Sequence, residues 1–367
     1  MEHDNENVSS KQVWLMRSVH DIIKGLPRSR VLEISAPPFK ICAAQEKLVL
    51  GVHSMQNHTT DEGWQITHGL SLNGYRHCGH MLDENETDVA NLIAKHQPGT
   101  LVIQDVREWD VQSNDFRDKE ARFTRVESMK SEESLFRVTV LKDAHQRPEY
   151  HSRESDRIGV HAWIVYYNDR IVKHLAPYVR PQHLIRTTHS IDSLIVPDFS
   201  NDRPFNCLFS GAVSGAYPLR QRMLTFRKYL PMHVHNHPGY HRNGCVVPDF
   251  LKLLNQFKVS ICTSSRYGYS LRKLIESTAC GCRVITDLPV DEILPVVEEN
   301  LIRISPMASR IEMKRVIEVV VNSYDYEKQR DLAKRAIEHY DYRAVCSRLA
   351  NDIQTMKERY RWTLRLI

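Results

Sequence analysis

Short apolar runs alternate with amphipathic stretches along most of this chain. Lys47–Val52, Leu101–Gln104, Phe136–Leu141, Leu184–Thr187, Phe205–Phe209, Met232–Asn236, Val259–Cys262, Arg283–Thr286 and Leu301–Ile304 are rich in β-branched and large aliphatic residues. Each predicts a buried strand. Arg30–Ile34 predicts an edge strand, closed by Pro37 and Pro38. Apolar positions at helical spacing predict helices over Ser10–Leu26, Glu62–Leu72, Thr87–His96 (Thr87 as N-cap), Ile158–Val179, Asp249–Phe257, Arg310–Val321, Tyr326–His339 and Tyr342–Leu366. Asn73-Gly74 ends the second of these and leads into a further strand, and Gln146–Arg157 predicts a long loop. Strands alternating with helices predict doubly wound, mostly parallel sheets, whose ligands lie beyond the carboxyl ends of the strands. By that rule alone, His53, Asp105, Asp143, His145 and His189 are candidates for a substrate pocket in the first half.

The 367 residues suffice for two domains. The polar, turn-rich Pro197–Arg203 predicts the linker, which divides the chain into 1–196, 197–345 and a final helix, 346–367.

The densest pattern is KVSICTSSRYGYSLRKLIESTACGCRVITDLP, residues 258–289. It predicts a strand, a helix capped by Ser270 and stopped by Gly281, and a second strand: one parallel βαβ unit. Arg272, Lys273 and Glu276 stand in the first two helical turns. A helix N-terminus with two cations attracts phosphate, and a carboxylate one turn on can accept from a ribose diol. The alternative is that Arg272 and Glu276 form an i,i+4 pair on a solvated face. Upstream, Ser210–Gly215 is a small-residue loop followed by Tyr217, Pro218 and Arg220 in a first helical turn. Such a loop lets backbone approach an anion, and arginine can grip a diphosphate through two N–H groups. His237-Pro238-Gly239-Tyr240 follows another strand, either lining the same cleft or serving as a plain turn.

LRKLIESTACGCRVITDLP resembles the donor-binding motif of GT-B glycosyltransferases, and is similar to the branch that includes CgeB-like spore-coat proteins and related phage enzymes. The loop and Tyr-Pro-x-Arg segment before it resemble the same branch. The resemblance covers residues 196–305. It implies two Rossmann-like domains facing a cleft, with a C-terminal helix crossing back to the first. It implies a nucleotide-sugar donor such as a UDP-sugar, held by Gly211, Ser214, Tyr217, Arg220, His237, Tyr240, Tyr269, Ser270, Leu271, Arg272, Lys273 and Glu276. Arg220 and Lys273 would neutralise the leaving diphosphate, so no metal or other cofactor is expected. Asp105, Asp143 and His145 would be candidate bases, although the resemblance leans toward retention. One departure is Gly268, which stands where many retaining relatives carry the first of two glutamates. The phage enzymes make a hydroxymethylated pyrimidine in DNA a candidate acceptor. A small molecule, a polysaccharide, a protein, or a non-catalytic nucleotide-binding role are the alternatives.

With 41% hydrophobic and 26% charged residues, the composition is that of a soluble globular protein. No apolar run reaches membrane-spanning length and the start is polar, so a cytoplasmic location is expected. Eight cysteines without a CxxC pair predict buried free thiols. His77-Cys78-Gly79-His80 lacks a second ligand pair at zinc spacing. A net charge of +5 permits a nucleotide or DNA partner. The segment Glu108–Glu133 is charge-dense and predicts a solvated surface. A DNA surface would draw on Arg147, Arg153 and Arg157 and on the basic residues of the last helix, among them Arg343, Arg348, Lys357 and Arg359.

Overall fold

The computed structural model describes residues 46–50, 62–78, 86, 88–104, 130, 132–141, 148–211, 215–236 and 246–365. The predicted helix over Ser10–Leu26, the strand over Arg30–Ile34, most of Glu108–Glu133, and Cys42, Thr87, Arg147 and Cys245 lie outside them.

Two wholly parallel sheets form the frame. The first contains β1 (Lys47–Leu50), β2 (Arg76–Cys78), β3 (Thr100–Ile103), β4 (Phe136–Leu141), β5 (Ala162–Val165) and β6 (Leu184–Arg186), in the order β2-β1-β3-β4-β5-β6. The second contains β7 (Phe205–Ser210), β8 (His233–His235), β9 (Phe257–Ile261), β10 (Arg283–Thr286) and β11 (Leu301–Arg303), in the order β11-β10-β9-β7-β8. Helices cover these sheets, so the central strands are buried along nearly their whole length, even where polar residues interrupt the apolar ones. All six positions of β4 are buried, Arg137 among them. Its guanidinium donates to the carbonyls of Gly159 (2.7 Å) and Glu132 (2.9 Å), which satisfies a charge inside the core.

The helices are α1 (Glu62–Ser71), α2 (Val89–His96), α3 (Pro148–Ile158), α4 (Asp169–Leu175), α5 (Pro218–Thr225), α6 (Val246–Leu254), α7 (Arg272–Ala279), α8 (Arg310–Asn322), α9 (Tyr326–Tyr340) and α10 (Tyr342–Arg365). Two expectations are overturned around residue 159. Gln146–Arg157 is not a loop throughout, because α3 starts at Pro148, where a proline at the first helical position costs nothing. Ile158–Val179 is not one helix. Gly159, at φ +74°, stops α3, and Ala162–Val165 pairs between β4 and β6 as a strand. Four apolar residues gain more from a fully buried slot than from one helical turn. Smaller differences concern caps. Asp88 caps α2, accepting from the N–H groups of Ala90 (3.0 Å) and Asn91 (3.3 Å). Helix α6 ends at Leu254 because Phe257 already belongs to β9.

Helix α10 returns to the first sheet. Leu349, Ile353, Met356 and Tyr360 are buried in the core that contains β1, β3, β4 and β5. Gly69 of α1 makes the approach possible: a Cβ there would lie 2.5 Å from the Cys346 sulfur. The Lys357 ammonium donates to the Gly99 carbonyl (2.6 Å) and the Thr100 hydroxyl (3.0 Å). The two chain segments near this crossing run side by side. The Ile191 N–H donates to the Tyr340 carbonyl (2.9 Å), and the Tyr342 N–H donates to the Ile191 carbonyl (2.8 Å).

Candidate functional site

The C-terminal end of the second sheet collects cations onto small residues. β7 ends at Ser210, and Gly211 follows at φ +121°, where a Cβ would lie 2.6 Å from the Arg220 guanidinium. Glycine there has two causes at once, the left-handed backbone and the guanidinium pressed against it. Arg220, buried in the first turn of α5, donates from Nε to the Thr263 hydroxyl (3.1 Å) and lies over the Tyr217 ring (3.9 Å). Lys273 comes from the opposite side. Its ammonium donates to the Ser210 hydroxyl (3.2 Å) and sits 4.9 Å from the Phe250 ring centre. Arg220 and Lys273 therefore flank the same strand end, from α5 and α7. Burial brings the Lys273 amine down to about 8; Glu276 opposes that shift and Arg220 adds to it. Asp287, immediately after β10, accepts the Ser264 N–H at 2.5 Å. Burial raises its carboxyl, against the pull of Ser264 and Arg220.

Helix α7 starts without a side-chain cap. Its N-cap is Leu271, which carries no capping oxygen. Ser270 does not cap the helix, contrary to expectation, because its hydroxyl donates to Glu292 (3.3 Å). The first N–H groups of α7 thus meet no side-chain acceptor from the N-cap, the arrangement that favours an anion. Arg272 and Glu276 form an ion pair at 3.1 Å, as i,i+4 spacing allows, but the pair is buried rather than solvated. The helix ends in a Schellman motif: Gly281, at φ +77°, donates to Thr278 (2.9 Å) and Cys282 donates to Ser277 (2.8 Å). Gly268 also has a physical reason. Its φ is +70°, and a Cβ there would lie 2.8 Å from a Pro289 side-chain carbon, so a glutamate at this position would be strained and crowded.

The same loop docks on the first sheet. Tyr269 is buried in the first-sheet core and packs against Tyr167, just past β5, at 4.8 Å. His189, beyond β6, stacks on Tyr166 (4.6 Å, 10° between planes). Its Nδ1 meets the Glu62 carboxylate at the start of α1, and its Nε2 lies 3.3 Å from the Ser270 carbonyl. Burial pushes the imidazole pKa down, Glu62 and the Ser270 carbonyl push it up, and the net shift is upward. A second connection reaches the same residue: Asn168 donates to Glu292 (2.5 Å), which accepts the Ser270 hydroxyl. A third, between Arg170 and Asp291 (2.8 Å), is exposed.

Of the expected donor-site residues, Gly211, Tyr217, Arg220 and Lys273 converge at the end of β7, with Arg272 and Glu276 paired one turn along. Tyr269, Ser270 and Leu271 lie in the loop that docks on the first sheet and leads into α7. Ser214, His237, Tyr240, His53, Asp105, Asp143 and His145 lie outside the described residues. Sequence reasoning took Ser210 only as part of a small-residue loop and passed over Thr263 and Asp287, although the strand-end rule covers all three: each stands at or just past the end of β7, β9 or β10. All six cysteines within the described residues are buried free thiols. None of the described helices is long and apolar enough to cross a membrane.

Among solved structures, the chain is similar to sucrose-phosphate synthase from Thermosynechococcus elongatus, with 11% identity, 88% of this chain and 100% of that chain covered, and a TM-score of 0.52. The fold is GT-B. A glycosyltransferase from Rickettsia africae matches with 10% identity, 86% and 99% coverage and a TM-score of 0.50. The pneumococcal O-GlcNAc transferase GtfA matches with 11% identity and a TM-score of 0.42; the chain aligns over 81% of itself and spans 60% of that protein's length. No protein-family model matches the chain, and neither does any curated protein.

Proposed function

We propose that this protein binds a nucleotide-diphosphate sugar at the end of β7 and transfers the sugar to an acceptor hydroxyl. The observation that carries this reading is Lys273. Its ammonium is partly buried and, among the described residues, meets a hydroxyl and an aromatic ring rather than a carboxylate. A cation held that way is ready for an anion, and Arg220 stands across the same strand end. A diphosphate seated there would be cradled by both cations and by the start of α7. As the bond to the sugar breaks, negative charge grows on the diphosphate, and prearranged cations stabilise it. Glu276, one turn further, would accept from the donor ribose while keeping Arg272 in place. UDP-sugar is the donor this reading favours. The cations take the role that a metal ion plays elsewhere, so turnover is expected to persist in chelator.

For the acceptor, the DNA reading draws no support from the basic residues that would serve it. Arg153 and Arg157 both pair with Glu154, at 3.2 and 2.7 Å. Lys357 is buried, and Arg343 pairs with Asp192 and Asp341. A small molecule, polysaccharide or protein hydroxyl is the reading retained. The deciding experiment incubates the protein with a panel of nucleotide sugars, with and without EDTA, and measures released nucleotide and transferred mass. Hydrolysis of one donor, lost in Lys273→Ala, supports the reading. No binding of any nucleotide sugar at millimolar concentration would refute it.

A further inference from the structure

We propose that His189 is a positioning residue for donor binding: as an imidazolium it ties the first domain to Ser270, and so sets where α7 presents Arg272 and Lys273. This rests on the donor site proposed above. Both ring nitrogens of His189 meet oxygen atoms. Nδ1 faces a carboxylate oxygen of Glu62, and Nε2 faces the carbonyl oxygen of Ser270 at 3.3 Å. A carbonyl only accepts, and an ionised carboxylate only accepts, so both nitrogens must carry hydrogen. A ring bonded this way is a cation and has no lone pair with which to act as a base.

The surroundings fit a charged ring. Glu62 faces it from α1, Arg272 from α7, and the Tyr166 ring stacks on it from the end of β5. Arg272 opposes the charge and Glu62 favours it; the net effect raises the imidazole above its usual 6.5. Burial holds the Tyr166 phenol well above its ordinary range, so it stays neutral. The target is also specific. Ser270 is held through its carbonyl by His189 and through its hydroxyl by Glu292, which Asn168 of the first domain also contacts. Two residues later α7 begins with Arg272 and Lys273. A shift of Ser270 is therefore a shift of the cations.

The sign follows from the raised value. Below pH 6.5 the tie is complete, and it is lost as pH climbs through the folded imidazole's higher value. The test uses the full chain with labelled histidine. At pH 6.5 both ring nitrogens should be protonated, and the Leu271 amide should shift with the same midpoint as the ring on raising the pH. Calorimetry with UDP, in a Lys273→Arg background so that the lysine does not titrate, should show affinity falling about tenfold across that midpoint. Glu62→Gln should move the midpoint down, and His189→Gln should abolish the step. A ring that is neutral at pH 6.5, a Leu271 amide silent through the ring's titration, or an unchanged step in His189→Gln would each overturn the proposal. If UDP binds to none of the proteins, the donor site is refuted instead. The ring and amide titrations, made on the wild type, then still decide whether the tie exists.

Discussion

The C-terminal ends of the two sheets are built from the same kind of parallel strand, yet they use their charges differently. Beyond the second sheet, Lys273 rests on a hydroxyl and a ring, and Arg220, which also attracts Asp287, lies against a hydroxyl, a ring and a glycine backbone. Beyond the first sheet, Glu62, His189 and Asn168 are committed to partners, and two of those partners, Ser270 and Glu292, belong to the opposite domain. On the proposed reading, one end takes an outside anion and the other serves docking. The teaching is that a cation's neighbours, more than its burial, separate a binding site from a structural one.

The largest effect should come from breaking a charge that is already satisfied. Glu276→Ala leaves the buried Arg272 without its carboxylate, and loss of one partner of a buried pair costs roughly 3–5 kcal/mol. Urea unfolding should show a large drop in midpoint, and an unchanged midpoint would mean the pair is solvated. Next come Arg220→Ala and Lys273→Ala. Each should weaken UDP binding by about 1.5–3 kcal/mol, or some ten- to a hundredfold, with the fold retained. Titration calorimetry checks this; wild-type affinity in both variants would move the diphosphate elsewhere.

A milder effect is expected from pH. The Lys273 amine is depressed to about 8, so its charge is present below that value and lost above it. UDP affinity should therefore decline by up to about tenfold per pH unit beyond 8, and Lys273→Arg should remove this part of the decline because arginine stays charged, leaving only the step across the His189 midpoint. A wild-type affinity that is flat from pH 7 to 9.5 would contradict it. The smallest effect belongs to Arg170–Asp291. The two side chains are 59% and 50% exposed, and exposed pairs contribute about 0–1 kcal/mol. Arg170→Ala should leave both melting temperature and UDP affinity nearly unchanged; a loss as large as that of Lys273→Ala would mean that the exposed pair matters as much as the cation at the end of β7.

Much of the frame was legible in the residues. β4 and β10 match the predicted Phe136–Leu141 and Arg283–Thr286, because short runs rich in β-branched and aliphatic residues mark buried strands. β5 was not legible. Ala162–Val165 is too short to outweigh the helical spacing of apolar residues on either side, and only its slot between β4 and β6 decides it. At the site, Arg220 and Lys273 stood out as cations in first helical turns. Ser210 and Thr263 did not, since a hydroxyl after a strand has no distinguishing pattern. The Glu62–His189 contact joins residues 127 apart in the chain, and no local signal connects them.

The return of α10 also bears on the order in which the molecule can be assembled. Leu349, Ile353, Met356 and Tyr360 fill a core whose other walls are β1, β3, β4 and β5. During synthesis the ribosome emits those walls first and their filling last, with the whole of the second sheet made in between. The first sheet, made before the second, therefore closes its interior only after the second is made, once residue 360 has emerged.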